Sequence, residues 1–358
     1  MRQTKPVGTT ATSKSRKRKR SSSEGDDEPM AAGIDQRAKA ESHVRALESL
    51  ITGIFEAEDN LQPDTSERAI DKASKYWMSS TLDNDTPCLS AAVQTKLETS
   101  IHRVIGVGRF SQIPVDDIAR LQKLCESTLK SAEETNIKLN EESSADDAQV
   151  DSWLAKVGIL DNGLKTSKTL LRIMVGGREE KVVRCLLVQG SSIQTNLDLK
   201  IYNEDLLQGI LTMLKSLLDD CVNPLIELRP SEKPIIFKGV AAHRKILGGL
   251  LHEITNVFAL LSLLIASEDV PEKAVTTMEF IAKDIIFIDN ASNEKDSVLG
   301  TQKVERYRVA AMDILAKVVI KPPEYHYLTL MIFRSLQDIK ISEALFLMKF
   351  LQVWRSFL

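Results

Sequence analysis

Residues His243 to Ile265, HRKILGGLLHEITNVFALLSLLI, constrain this chain more than any other stretch. Apolar side chains fall at Ile246, Leu247, Leu250, Leu251, Ile254, Val257, Phe258, Leu261, Leu264 and Ile265. Steps of three, four and seven place them on one side of a helix. Towards Ile265 the stripe widens until almost every side is apolar. Such a helix needs cover from more than one neighbour, so the chain must build a helical body around it. Its start is too polar for a membrane span, with His243, Arg244, Lys245, His252 and Glu253 in it. The expectation is a core helix with Leu251, Ile254, Phe258 and Leu261 fully buried.

The rest of the chain fits that body. Its 358 residues are enough for two ordinary domains or one extended array. Aromatic residues are only 5% of the chain, so the core is mainly Leu, Ile, Val and Ala. Cys88, Cys125, Cys185 and Cys221 lie far apart, with no CxxC and no histidine at ligand spacing. That argues against structural zinc and against a disulfide framework. The first residues lack the apolar core of a signal peptide. A soluble, intracellular protein is expected, with no membrane partner.

Residues 1–34 read as a disordered tail, too poor in large apolar groups to offset their ordering entropy. Lys14, Arg16, Lys17, Arg18, Lys19 and Arg20 form a dense cationic cluster that resembles a nuclear localisation signal. Ser21, Ser22 and Ser23 precede Glu24, Asp26, Asp27 and Glu28. Acid-directed phosphorylation at these serines would partly neutralise the cluster.

From Asp35, a plausible N-cap, the helical period begins, and no convincing strand period follows. Helices are expected from 35 to Glu56, from Ser66, from Ser90 to Val104, and from Pro114 over Ile118, Leu121, Leu124, Cys125 and Leu129. Further helices are expected over 150–175 and 179–189, from Asn203 to Cys221, and over 271–288, 297–320, 323–339 and 341–357. Gly106-Val107-Gly108 reads as a helix stop rather than a phosphate cradle. Gly176-Gly177 reads as another stop. Pro224, Pro230 and Pro234 break the chain before His243. The pattern predicts an all-α fold: an irregular helical domain over 35–235 running into HEAT-like repeats over 236–358. The repeats end on the apolar FLMKFLQVWRSFL, where a solenoid normally carries a polar cap, so a truncated array is expected.

No catalytic constellation is found: there is no P-loop, no GxSxG, and His252-Glu253 lacks the second histidine of a zincin. No cofactor or metal is expected, and the chain reads as a non-enzyme. The candidate binding residues are basic and fall in two groups. One is Lys233, Lys238, Arg244 and Lys245. The other is Lys303, Arg306, Arg308, Lys317 and Lys321. Phosphate contact by such groups would be sequence-independent and steeply salt-dependent. For either group a solvated helix face remains the competing reading.

An ordered series of segments resembles the cohesin loader family (Nipped-B or adherin, the large subunit of the sister chromatid cohesion loading complex). The segments are RFSQIPVDDIARLQKLCESTLKSAEETNIKL from Arg109 and WLAKVGILDNGLKTSKTLLRIMVGG from Trp153. YNEDLLQGILTMLKSLLDDCVNPL from Tyr202 follows, then the helix from His243 and QKVERYRVAAMDILAKVV from Gln302. The resemblance covers roughly 35–358, is looser before 105, and places the chain in the N-terminal part of the helical body. It implies a nuclear scaffold that binds DNA and the cohesin complex, promotes cohesin loading and stimulates the cohesin ATPase. It also implies a tetratricopeptide partner subunit, whose binding arm has no evident counterpart here. The alternative is a helical-repeat adaptor for transport or assembly, without DNA binding.

Overall fold

The computed structural model describes residues 28–60, 75–78, 88–138, 147–187, 201–267 and 270–319. The helices are α1 (Glu28–Asp59), α2 (Ala91–Gly106), α3 (Val115–Glu133), α4 (Asp147–Leu187), α5 (Glu204–Leu217), α6 (Asn223–Glu227), α7 (Pro234–Ala242), α8 (Arg244–Ser267), α9 (Glu272–Phe287) and α10 (Thr301–Val319). Strands β1 (Trp77–Met78) and β2 (Cys88–Leu89) pair antiparallel ahead of α2. Two residues a side are too few for an alternating pattern, so the sequence showed no strand. The helices expected from Ser66, at 323–339 and at 341–357 lie outside the described residues, as does most of the basic tail.

The chain divides into two units, Met1–Lys39 and Ala40–Leu358. In the first, described from Glu28, the chain is helical, so Asp35 lies inside a helix and is not its cap. The second holds the core. There the helices alternate between two layers in chain order. α2, α4, α8 and α10 lie side by side, each packed on the next. α3, α5 and α9 form the other layer, with α3 on α4 and α5, and α9 on α5 and α10. This is a HEAT-like α-solenoid arrangement.

Local chemistry sets the helix ends. α2 stops at Gly106 because Gly108 takes φ 65°, a region that costs glycine nothing. Gly108 N–H then donates to Ile105 O at 2.8 Å and Arg109 N–H to Val104 O at 3.1 Å, a Schellman closure. Asn203 caps α5, its Oδ1 accepting from Asp205 N–H at 3.0 Å and Leu206 N–H at 3.2 Å. Beyond Leu217 the helix widens into a π turn over Leu218–Val222.

Two expectations are corrected. Gly176-Gly177 does not stop a helix, because α4 runs on to Leu187 and includes the segment read as a separate helix from 179. A Cβ at Gly176 would lie 2.1 Å from Ile105 Cδ1, so this glycine lets α2 and α4 approach closely. Of the prolines before His243, Pro230 lies in the turn between α6 and α7 as expected, while the other two open helices. Pro224 and Pro234 sit in the first turns of α6 and α7, where their missing N–H costs nothing.

α8 is the core helix that its pattern predicts. Leu251, Ile254, Phe258 and Leu261 are all 1% exposed or less. Its length and composition would suit a membrane span, yet its apolar side chains pack on α4 and α10. Phe258 stacks on Tyr307 of α10, with ring centroids 5.6 Å apart. Ser262 donates to Asp313. Partners advance together along α8 and α10, so the two helices run parallel, as α9 between them in sequence requires. Ile246, counted in the stripe, is 51% exposed, and Leu263 equally so.

Polar side chains pin the small strand pair to the helices. Leu89 N–H donates to Thr128 Oγ1 of α3 at 3.1 Å, and Leu89 O accepts from Asn162 Nδ2 of α4 at 2.8 Å. Both backbone groups are buried, so each needs such a partner.

Candidate functional site

The parallel run of α8 and α10 brings the end of the first basic group, Arg244 and Lys245, beside the start of the second, Lys303. Lys303 reaches back over α8, where its Nζ would lie 2.0 Å from a Cβ at Gly248. Arg244, opening α8, reaches the chain just before α10. Its Nε donates to Val298 O at 3.0 Å and its Nη2 to Ser297 O.

Arg244 is one of three arginines that hold the loop between α9 and α10. Arg308 of α10 donates to Ile288 O and, at 3.0 Å, to Glu305. Arg229, after α6, donates to Asp289 O at 3.2 Å and Asp289 Oδ2 at 3.3 Å. A loop folded against helices leaves carbonyls without partners, and a guanidinium can satisfy two at once. Arg308 is only 9% exposed, and Arg244 directs its donors at carbonyls, so both serve the loop rather than an outward-facing cluster. Arg229 was missed because nothing in its sequence context marks a partner sixty residues away.

The end of this loop is an acid cap. Glu294 Oε2 accepts from Thr301 N–H at 2.7 Å and from Thr301 Oγ1. Those two hydrogen bonds, with the nearby Arg244 and Lys303 cations, hold the Glu294 carboxyl below its ordinary range.

The cations left facing solvent are Lys303 and Arg306 on α10, Lys245 on α8 and Lys238 on α7. Lys233 and Lys317 are half-buried. Glu305 and Lys295 are exposed in the same region, so its charge is mixed. Lys321, the cluster Lys14, Arg16, Lys17, Arg18, Lys19 and Arg20, and the serines Ser21, Ser22 and Ser23 lie outside the described residues.

Cys88, Cys125 and Cys221 are buried thiols that form no disulfide among the described residues. Desolvation pushes the thiols of Cys125 and Cys221 up to about 12, so neither is a thiolate near neutrality. Among the described residues no group of three or more His, Cys, Asp or Glu side chains could hold a metal ion. The exposed lysines and arginine can bind anionic surfaces by charge, while the buried groups serve packing.

No protein-family model matches the sequence, and no curated protein matches it. A solved structure does: the Chaetomium thermophilum cohesin loader SCC2, C-terminal fragment. The likeness has a TM-score of 0.68 at 26% identity. The chain shares its fold with a cohesin loader. The likeness covers 85% of this chain and 21% of the loader fragment, so the chain spans about a fifth of that fragment.

Proposed function

We propose that this chain is a non-catalytic scaffold of the cohesin loader type that promotes cohesin loading onto DNA and sister chromatid cohesion. The observation that carries this reading is the fold shared with SCC2 over 85% of the chain at 26% identity. Its place would be the N-terminal part of the helical body, and its partners the cohesin complex and chromatin. In the full-length loader the tetratricopeptide subunit would join them. The cluster from Lys14 to Arg20 would direct nuclear import, and Ser21, Ser22 and Ser23 would tune it.

On this reading DNA is met by charge alone, through Lys303 and Arg306. Phosphate contacts by two cations give log K against log salt a slope of about −2. Duplex binding by the 358-residue chain, measured across salt concentrations, tests this. Charge reversal at Lys303 and Arg306 should flatten the slope. No binding at low salt, or a slope near zero, contradicts DNA contact and favours the adaptor reading. That second reading draws support from Arg244 and Arg308, whose guanidinium groups are engaged inside the fold.

A further inference from the structure

α7 stands outside the alternation of layers. The chain passes between layers from α2 to α5 and again from α8 to α10, and α7 is an addition packed on the start of α4. Val150 Cγ2 there lies 3.9 Å from where a Cβ would sit at Gly239. Among the large apolar side chains of α7 only Val240 is buried. Ile236 and Phe237 are half-buried, and Ile235 is 67% exposed. Ile235, Lys238 and Ala242, at steps of three and four, share its outer side, and all three are exposed. One residue on, the first turn of α8 presents Lys245 and Ile246, also exposed. The exposed cations here are Lys238 and Lys245, Arg244 being turned to the Ser297 and Val298 carbonyls, and the exposed Glu232 precedes α7.

We infer that this face docks an acidic peptide segment of a protein partner, its large apolar side chains seated on Ile235 and Ile246 and its carboxylates facing Lys238 and Lys245. Charge and apolarity together select that class. A phosphate backbone would pair with the lysines but would meet the isoleucines with charge, desolvating them for nothing. A segment with Leu or Phe among Asp and Glu satisfies both kinds of group. The lysines supply attraction and register, and the isoleucines supply contact area free of water. The surface does not depend on the loader reading, and failure of cohesin binding would leave it standing.

The test uses the full chain and two fluorescein-labelled helical peptides. One carries Leu at every third and fourth position among Glu and Asp, and the other has Ser in place of each Leu. The leucine peptide should bind at least about tenfold more tightly than the serine peptide, since apolar anchors dominate such contacts. Ile235→Ser with Ile246→Ser should weaken it by a similar factor while the thermal midpoint stays put. Lys238→Glu with Lys245→Glu should weaken both peptides. Equal affinity for the two peptides, indifference to the isoleucine changes, or no binding of the leucine peptide overturns the inference. So does displacement of the peptide by short duplex DNA whose own affinity survives the isoleucine changes, which would make the face a nucleic-acid contact.

Discussion

α7 and α8 are neighbours in sequence, parted only by His243, and both are rich in apolar side chains, yet they end in opposite environments. α8 lies between α4 and α10 and buries its stripe, while α7 packs on the start of α4 and leaves Ile235 in solvent. Apolar content alone does not decide burial in this fold. Position does, because α8 has α4 on one side and α10 on the other, while among the described residues α7 packs chiefly on the start of α4.

Truncation on the covered side should have the largest effect. Phe258→Ala removes a fully buried ring stacked on Tyr307 and should cost about 3–5 kcal/mol in denaturant unfolding. A near-neutral value would erase the contrast between the two helices. Arg308→Met tests the loop beside the α8–α10 seam. It leaves the Ile288 carbonyl without its guanidinium and should cost about 1–3 kcal/mol. Gly176→Ala places a methyl group against Ile105 and should cost about 1–3 kcal/mol, less if that side chain can swing aside.

Glu294 gives a pH signature at the same seam. Its folded carboxyl titrates below its unfolded value, so its contribution is present above about pH 4.5 and is lost as pH falls through the folded value. Glu294→Gln should therefore flatten the acid limb of the stability curve and leave stability near pH 7 less pH-dependent on that side. An unchanged limb would show that the Thr301 cap does not form. The smallest effect belongs to the uncovered helix. Ile235→Ser should change stability by less than about 0.5 kcal/mol, and a large loss would mean that α7 is covered after all.

Much of this fold was legible in the sequence. The apolar stripe of α8 named its buried residues, the run from Asn203 named a helix, and Gly106-Val107-Gly108 named a stop, because each signal acts within a few residues of itself. The misreadings have a common cause. Gly176-Gly177 looks the same whether it ends a helix or admits a neighbour, and only Ile105, seventy residues earlier, decides which. Arg244 and Arg308 look like surface cations until the loop at Ile288 to Gly300 folds against them. Pro234 looked like a breaker because the short helix it opens is weakly patterned. The candidate surface was legible as charge, but not as the division between cations that hold a loop and cations that face solvent. That division depends on contacts between distant elements, which no local pattern records.

A loader-type scaffold must hold the cohesin complex. Equilibrium binding of the full chain to purified cohesin complex, followed by light scattering or fluorescence anisotropy, tests it most directly. Saturable binding that Ile235→Ser leaves intact is expected. No binding of the folded chain to cohesin at micromolar concentrations would contradict it.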